Sequence, residues 1–215
     1  MTSLLSASPV DPSTYGLFLL VMATLAVTPG PANLFAIATG MAEGPRAALA
    51  GVLGMNAATL VWFGAAALGL GALVTAFPEA FHLIAVLGGI YVGWLGAKAL
   101  WAAARPKPEI AAQATAPSRG SAFLRGFGVQ IANPKAVLFF TAVLPPFLDP
   151  DRPAALQLAA FATGTLVLDL AAMSAYGLAG GALAMRMQER RFRRGFDAVV
   201  GILLVTAAVL ILTRS

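Results

Sequence analysis

A long apolar run over residues 15–41 is interrupted by the stretch Thr28-Pro29-Gly30-Pro31-Ala32-Asn33. Because proline lacks a backbone N–H and its ring clashes with the preceding turn, two prolines this close predict a broken helix. The break frees the carbonyls of Leu25 and Val27 from their intrahelical bonds, and the helix that restarts near Asn33 begins with unpaired N–H groups. Irregular backbone at bilayer depth is tolerated only where it is buried in protein or lines a watery cavity. The break is therefore a candidate site if this run lies in a membrane.

The composition indicates that it does. Of 215 residues, 59% are hydrophobic and 11% are charged, too few to cover a water-soluble domain with a polar surface. The net charge of +5 does not indicate nucleic-acid binding, because the basic residues lie in loops between apolar runs. The absence of cysteine excludes disulfides and thiolate metal sites. We expect an all-α integral membrane protein with no bound metal.

Six segments are long enough to cross a membrane, since roughly 20 apolar residues span the hydrocarbon core. Together they predict a single transmembrane domain over residues 1–215, with a hydrophilic loop at about 105–121 as the longest connection. The predicted spans cover residues 15–41, 47–77, 81–104, 122–148, 154–184 and 196–212.

The fourth span contains a second break, Gln130-Ile131-Ala132-Asn133-Pro134-Lys135. Pro29 and Pro134 are 105 positions apart, and each falls in the first span of a group of three. Three spans per half put the halves in opposite orientations, which is the inverted repeat of many secondary transporters, with binding sites at paired interrupted helices. We expect repeat one at about 12–104 and repeat two at about 122–215. The alternative is that both prolines are ordinary kinks, which are common in membrane helices.

The distribution of basic residues predicts the orientation. Loops one–two, three–four and five–six, with their flanks, hold eleven Lys and Arg residues, whereas the opposite side holds only Arg152 and Arg214. By the positive-inside rule the eleven face the cytoplasm, and both termini face outward.

A broken helix offers a ligand both positive and negative partial charge. The half-helix N-termini suit a carboxylate, and freed carbonyls at Leu25, Val27 and Gln130 suit an ammonium group, so a small zwitterionic amino acid is the expected ligand. Asn56 and Gln130 are equally explained by hydrogen bonds between helices. The candidate substrate-binding residues are Thr28, Pro29, Gly30, Pro31, Asn33, Asn56, Gln130, Asn133, Pro134 and Lys135.

Asp169 is the single acidic residue deep within a span. A carboxylate there is costly unless it is paired, hydrated or protonated, so Asp169 is the candidate proton-coupling residue. The structural alternative is an interhelical hydrogen bond or a salt bridge to Lys135. Lys135 has an alternative of its own, in which its side chain extends along the helix to the membrane interface.

Motifs for other functions are missing. The chain has no phosphate-binding G-x-x-x-x-G-K-[ST], no G-x-S-x-G and no H-E-x-x-H, so we expect neither an enzyme nor a cofactor, and an ion gradient as the energy source. Export of a metal cation is a weaker alternative, because no cluster of buried ligands is visible. A membrane scaffold whose prolines only shape packing is another.

Two stretches together resemble the signatures of the LysE/RhtB family of amino-acid exporters. They are Thr28-Pro29-Gly30-Pro31-Ala32-Asn33-Leu34, and Gln130 to Phe140 with Gly126-Phe127 before it and Leu144-Pro145 and Phe147 after it. The resemblance implies a proton-driven exporter of amino acids or close derivatives in the cytoplasmic (inner) membrane of a bacterium, and it allows a homodimer. The family's Pro-Gly-Pro and Asn-Pro-Lys positions carry over onto Pro29, Gly30, Pro31, Asn133, Pro134 and Lys135.

Overall fold

The computed structural model describes residues 8–28, 30–76, 78–104 and 121–213. Within these ranges the chain is all-helical, which confirms the predicted class. Pro29 and nearly all of the predicted loop at 105–121 lie outside them. The described α-helices are α1 (Pro12–Val27), α2 (Pro31–Glu43), α3 (Pro45–Ala76), α4 (Pro78–Ala104), α5 (Ala122–Ile131), α6 (Pro134–Leu138), α7 (Ala154–Gln188) and α8 (Arg190–Leu212). A π-helix, Phe139–Val143, and a 3₁₀ turn, Pro145–Phe147, continue α6.

Several of the described helices are long and apolar enough to cross a membrane. Three qualify alone: Pro45–Gly69 within α3, Ala154–Ala179 within α7, and α8. Two bent pairs, α1 with α2 at 48° and α5 with Pro134–Phe147 at 47°, raise the number to as many as five. Both bends fall at the proline-containing stretches. The chain is therefore a multi-span membrane protein.

The ends of the broken helices follow from local sequence. Gly30 precedes α2 in an extended conformation and caps it without a side-chain hydrogen bond. Asn133 caps α6, where its side chain accepts from the Lys135 amide. Gly44 has a φ of 86°, which side-chain-bearing residues rarely adopt, and lets the chain turn directly from α2 into α3. The described residues between the helix ends, Thr28 and Gly30 at the first break and Ala132 and Asn133 at the second, are not helical.

Aromatic side chains fill the half of the bundle around the start of α1. The rings of Phe18 and Phe161 lie 4.5 Å apart, and those of Phe63 and Phe140 lie 4.8 Å apart at 84°. Phe139 contacts both groups. We call this half, defined by these five residues, the aromatic end.

Glycines bring backbones together in the opposite half. A Cβ built on Gly54 would lie 1.9 Å from the Phe123 carbonyl oxygen, and one on Gly126 would lie 2.1 Å from that of Gly51, so α3 and α5 touch through their backbones. Gly40 of α2 meets Gly177 of α7 in the same way, at 2.0 Å. We call this half, defined by Gly40, Gly51, Gly54, Gly126 and Gly177, the glycine end. Small residues that allow such close approach are typical of helix packing in membranes.

Candidate functional site

A small cavity lies between the two helix breaks, with the aromatic end on one side and the glycine end on the other. The pocket brings together five of the predicted site residues: Asn33, Gln130, Asn133, Lys135 and Asp169. The remaining lining residues are Met22, Leu25, Ala26, Ala32, Thr59, Ala136, Phe139, Phe140, Thr165 and Met173.

The Lys135 side chain joins the second break to the first. Its ammonium donates to the Leu25 carbonyl and, at 3.0 Å, to the Thr28 carbonyl. It therefore does not extend to a membrane interface, which was the structural alternative. The first break provides acceptors that a continuous helix would have used internally, and Lys135 supplies the donor.

The other carbonyls at the first break are also bonded. The Asn33 side chain donates to Ala26 at 2.9 Å, and the Tyr176 hydroxyl donates to Val27 at 2.5 Å. The predicted free carbonyls at Leu25 and Val27 are therefore occupied by protein donors. The third, at Gln130, was also wrongly predicted to be free, because the chain turns tightly there and the Asn133 amide donates to it at 3.2 Å.

A chain of side-chain hydrogen bonds supports the second break. The Asn133 amide group donates to Gln130 Oε1 at 3.0 Å, and Gln130 Nε2 donates to Thr59 Oγ1 at 3.0 Å. Thr59 in turn donates to the Met55 carbonyl of its own helix. Because all three side chains are buried, satisfying them matters more than it would at a surface. Gln130 thus makes the interhelical hydrogen bond that the sequence left open, and it also lines the pocket.

Asp169 lines the same pocket and is 5% exposed. It and Lys135 are the two ionisable residues in the lining. They are not an ion pair: no Lys135 nitrogen comes within 4.0 Å of an Asp169 oxygen. In the described ranges the Asp169 carboxylate has no hydrogen-bond donor either. A buried carboxylate that faces a cavity with no hydrogen bond, and with only the Coulombic attraction of Lys135 to offset its burial, is unusual, because burying a charge costs free energy unless it is compensated.

Thr165 precedes Asp169 by one helical turn and lines the same pocket. Its hydroxyl is buried and has no hydrogen-bond partner among the described residues. Hydroxyl groups at buried positions nearly always find a partner. Thr165 and Asp169 therefore offer one polar surface, on the α7 side of the pocket, that the protein leaves unsatisfied.

The remaining predicted residues lie outside the pocket lining. Asn56 donates to the Val52 carbonyl of its own helix, while its side-chain oxygen is buried without a partner in the described chain. Thr28 contributes its carbonyl, which accepts from Lys135, while its hydroxyl donates to the Thr24 carbonyl. Gly30, Pro31 and Pro134 define the helix ends beside the pocket, and Pro29 lies outside the described residues.

Thr165 and Met173 line the pocket but were not predicted as site residues, although one spacing in the sequence points to them. Thr165, Asp169, Met173 and Tyr176 follow at intervals of four, four and three, which puts them on one face of a helix. Thr59 follows Asn56 by three positions, and the sequence alone does not indicate which of the two lines a pocket. The lining by Phe139 and Phe140 depends on the π-helix after α6, which sequence spacing does not reveal.

The fold and the site define a class: a multi-span helical membrane protein with a polar pocket at two interrupted helices. The comparison with family models identifies the family. The model described as LysE type translocator matches residues 23–215, and the chain belongs to this family.

Relatives in the family carry names of amino-acid efflux proteins. The homoserine/homoserine lactone efflux protein of Salmonella typhimurium is 26% identical over 194 residues, which is 90% of this chain and 93% of the relative. The threonine efflux protein of Salmonella typhi is 32% identical over 65% of this chain and 69% of its own length. The leucine efflux protein of an Enterobacter species is 33% identical over 58% and 59%. No solved structure matches.

Proposed function

We propose that this protein exports an amino acid, or a close derivative, across the bacterial cytoplasmic membrane in exchange for protons. The observation that carries the proposal is the pocket between the two breaks, whose lining holds one ionisable group of each sign, Lys135 and Asp169. A zwitterion matches this pair without adding net charge to the bilayer interior. The family membership and the names of the relatives support the same class of substrate.

The carboxylate of the substrate binds on the Lys135 side. The Lys135 ammonium uses two of its three donors on Leu25 and Thr28, which leaves one for a ligand. The first turn of α2 adds backbone amides that no capping side chain occupies, and Ala32 and Asn33 of that turn line the pocket. An N-terminus of this kind favours an anion.

The predicted topology decides which end of the pocket faces which side of the membrane. Six spans in two inverted repeats place both termini outside, with the glycine end toward the cytoplasm and the aromatic end toward the exterior. Alternating access then requires the two repeats to tilt so that one end opens while the other stays closed. Assembly as a homodimer stays a prediction of the family resemblance.

Transport into proteoliposomes tests the proposal. Purified protein is reconstituted, and uptake of labelled L-homoserine, L-threonine, L-leucine and a wider amino-acid panel is measured with and without an imposed pH gradient. We expect movement of one chemical class, stimulated when the gradient drives protons in the opposite direction. The absence of movement of any amino acid by folded protein would overturn the proposal.

A further inference from the structure

We propose that the Asp169 carboxylate is a shared site, occupied alternately by the ammonium group of the substrate and by the transported proton. This inference rests on the proposed function and specifies how substrate and proton are coupled in the same pocket. It differs from the expectation that backbone carbonyls receive the ammonium, because the carbonyls of Leu25, Val27 and Gln130 already accept from Lys135, Tyr176 and the Asn133 backbone amide.

The geometry leaves Asp169 as the acceptor for a cationic group. It is buried, lines the pocket, and has neither a hydrogen-bond donor nor an ion pair in the described part of the chain. The adjacent Thr165 hydroxyl, buried and also unpartnered, can accept or donate a hydrogen bond beside it. Two unsatisfied polar groups one turn apart on α7 form a subsite that a bound ammonium would complete.

Lys135 and Asp169 present opposite charges to the same cavity without forming an ion pair. No nitrogen–oxygen pair between them falls within 4.0 Å, yet both line the same cavity. An α-amino acid carries its two charged groups on the same α-carbon, so it can bind Lys135 through the carboxylate and Asp169 through the ammonium. Its side chain would then face the apolar lining, which includes Met22, Phe140 and Met173.

Few other charges act on Asp169. In the described chain, α1, α2 and α3 contribute no ionisable side chain to the pocket, and α6 contributes Lys135. On α7 the nearest titratable neighbour is Tyr176, whose hydroxyl donates to Val27. On α8, Asp197 is within 4.0 Å of Arg193 and lies outside the lining. The ammonium and a proton therefore compete for Asp169, while Lys135 is held in place by its bonds to the Leu25 and Thr28 carbonyls.

The shared site gives obligatory exchange. When the pocket opens to the exterior, a proton binds the carboxylate and the ammonium leaves. When it opens to the cytoplasm, the proton leaves and the ammonium of a new substrate binds. One proton enters for each amino acid exported, and no other group gains or loses a proton.

Binding measurements on the purified full-length protein test the competition. The probes are L-homoserine, L-threonine and L-leucine, each beside the 2-hydroxy acid in which a neutral hydroxyl replaces the ammonium. Below the pH at which Asp169 titrates, we expect the Kd of the amino acid to rise about tenfold per pH unit, and binding to release about one proton per molecule, because linkage is reciprocal. The 2-hydroxy acid should bind at least about tenfold more weakly above that pH.

Variants separate the shared site from a structural role. Asp169→Asn should remove both the pH dependence and the preference for the amino acid over its 2-hydroxy acid, and Asp169→Glu should restore them. The control is Asp197→Asn, which changes a carboxylate outside the pocket and should behave like the wild type.

Two results would overturn the shared site: equal binding of the two probes by the wild-type protein, or an unchanged pH dependence in folded Asp169→Asn. If gradient-driven amino-acid transport is still present, only this inference fails. If no amino acid binds or moves, the proposed function fails.

Discussion

The Lys135 ammonium donates to the Thr28 carbonyl at 3.0 Å, so a residue from the second helix break satisfies the backbone of the first. The two breaks are 107 positions apart at these residues. Each break alone leaves polar groups that the bilayer interior would penalise. Together they form a single polar centre, with Lys135 as its link and the pocket beside it.

Replacement of this link tests its importance. Lys135→Ala should lower the thermal stability in detergent and reduce transport at least tenfold, because the Thr28 carbonyl loses its donor at a cost of about 1–3 kcal/mol and the substrate loses its cationic partner. Lys98→Ala is the matched control, since Lys98 is exposed and lies over the Trp94 ring at 5.1 Å. Transport at the wild-type rate in Lys135→Ala would exclude Lys135 from the site.

The breaks themselves could be predicted from sequence, because proline has a strong and local effect on helix geometry. The same is true of the all-helical class and of Asp169 as an unusual residue. Which donors occupy the freed carbonyls could not be predicted. Tyr176 and Val27 are 149 positions apart, and their contact depends on how α7 packs against the first break.

The helical spacing of residues in α7 could have identified further pocket residues. The spacing from Thr165 through Asp169 to Tyr176 marks one face of α7, and the structure places that face on the pocket and the first break. By contrast, Asn56 is as polar as Asn33 but bonds within its own helix. Residue type alone does not distinguish an asparagine that lines a pocket from one that only packs between helices, because the side-chain amides of both need a buried partner.

The unpartnered hydroxyl at Thr165 predicts a role in binding. Thr165→Val keeps the shape and removes the hydroxyl, so folding should be unaffected or slightly improved, whereas the Kd of the transported amino acid should rise about fivefold to tenfold, the loss of one hydrogen bond of about 1 kcal/mol. Thr165→Ser should bind like the wild type. Thr163→Val is the control, because the Thr163 hydroxyl is exposed and bonds to the Ala159 carbonyl of its own helix. Unchanged affinity in Thr165→Val would remove the hydroxyl from the subsite.

The contact between α3 and α5 predicts a strong effect of a single methyl group. Gly54→Ala would place its Cβ 1.9 Å from the Phe123 carbonyl oxygen, so the helices must separate and both stability and transport should fall. Gly64→Ala on the same helix meets nothing within 4 Å and should be neutral or stabilising, since alanine favours helix over glycine. Thermal unfolding in detergent and transport are measured for both. Equal behaviour of the two variants would contradict the close packing at the glycine end.

An ion pair closes the same end. Arg125 of α5 and Glu43 of α2 meet at 2.6 Å with side chains 15% and 30% exposed. Such a partly exposed pair contributes little on its own, but its loss should still shift the balance between closed and open states toward the open one. Because the chain has no cysteine, a single Ala136→Cys in the pocket reports access without interference.

We expect Glu43→Gln to speed labelling of this cysteine by a thiol reagent about twofold to fivefold, and the exchanged pair Glu43→Arg with Arg125→Glu to return it toward the wild-type rate. Arg46→Gln, at an exposed site in the same turn region, is the control for a general loss of charge. If Glu43→Gln leaves the labelling rate unchanged, the pair does not hold this end closed.

The orientation of the protein in the membrane gives the last prediction. The turn after the 3₁₀ segment contains Asp151, which is exposed, and the positive-inside rule places it outside and Arg46 in the cytoplasm. In intact cells, a membrane-impermeant maleimide should label Asp151→Cys, and it should label Arg46→Cys only after the cells are permeabilised. The reverse pattern would put the glycine end outside. The proton on Asp169 would then have to be loaded from the glycine end, and the Glu43–Arg125 pair would control exit of the substrate instead of its entry.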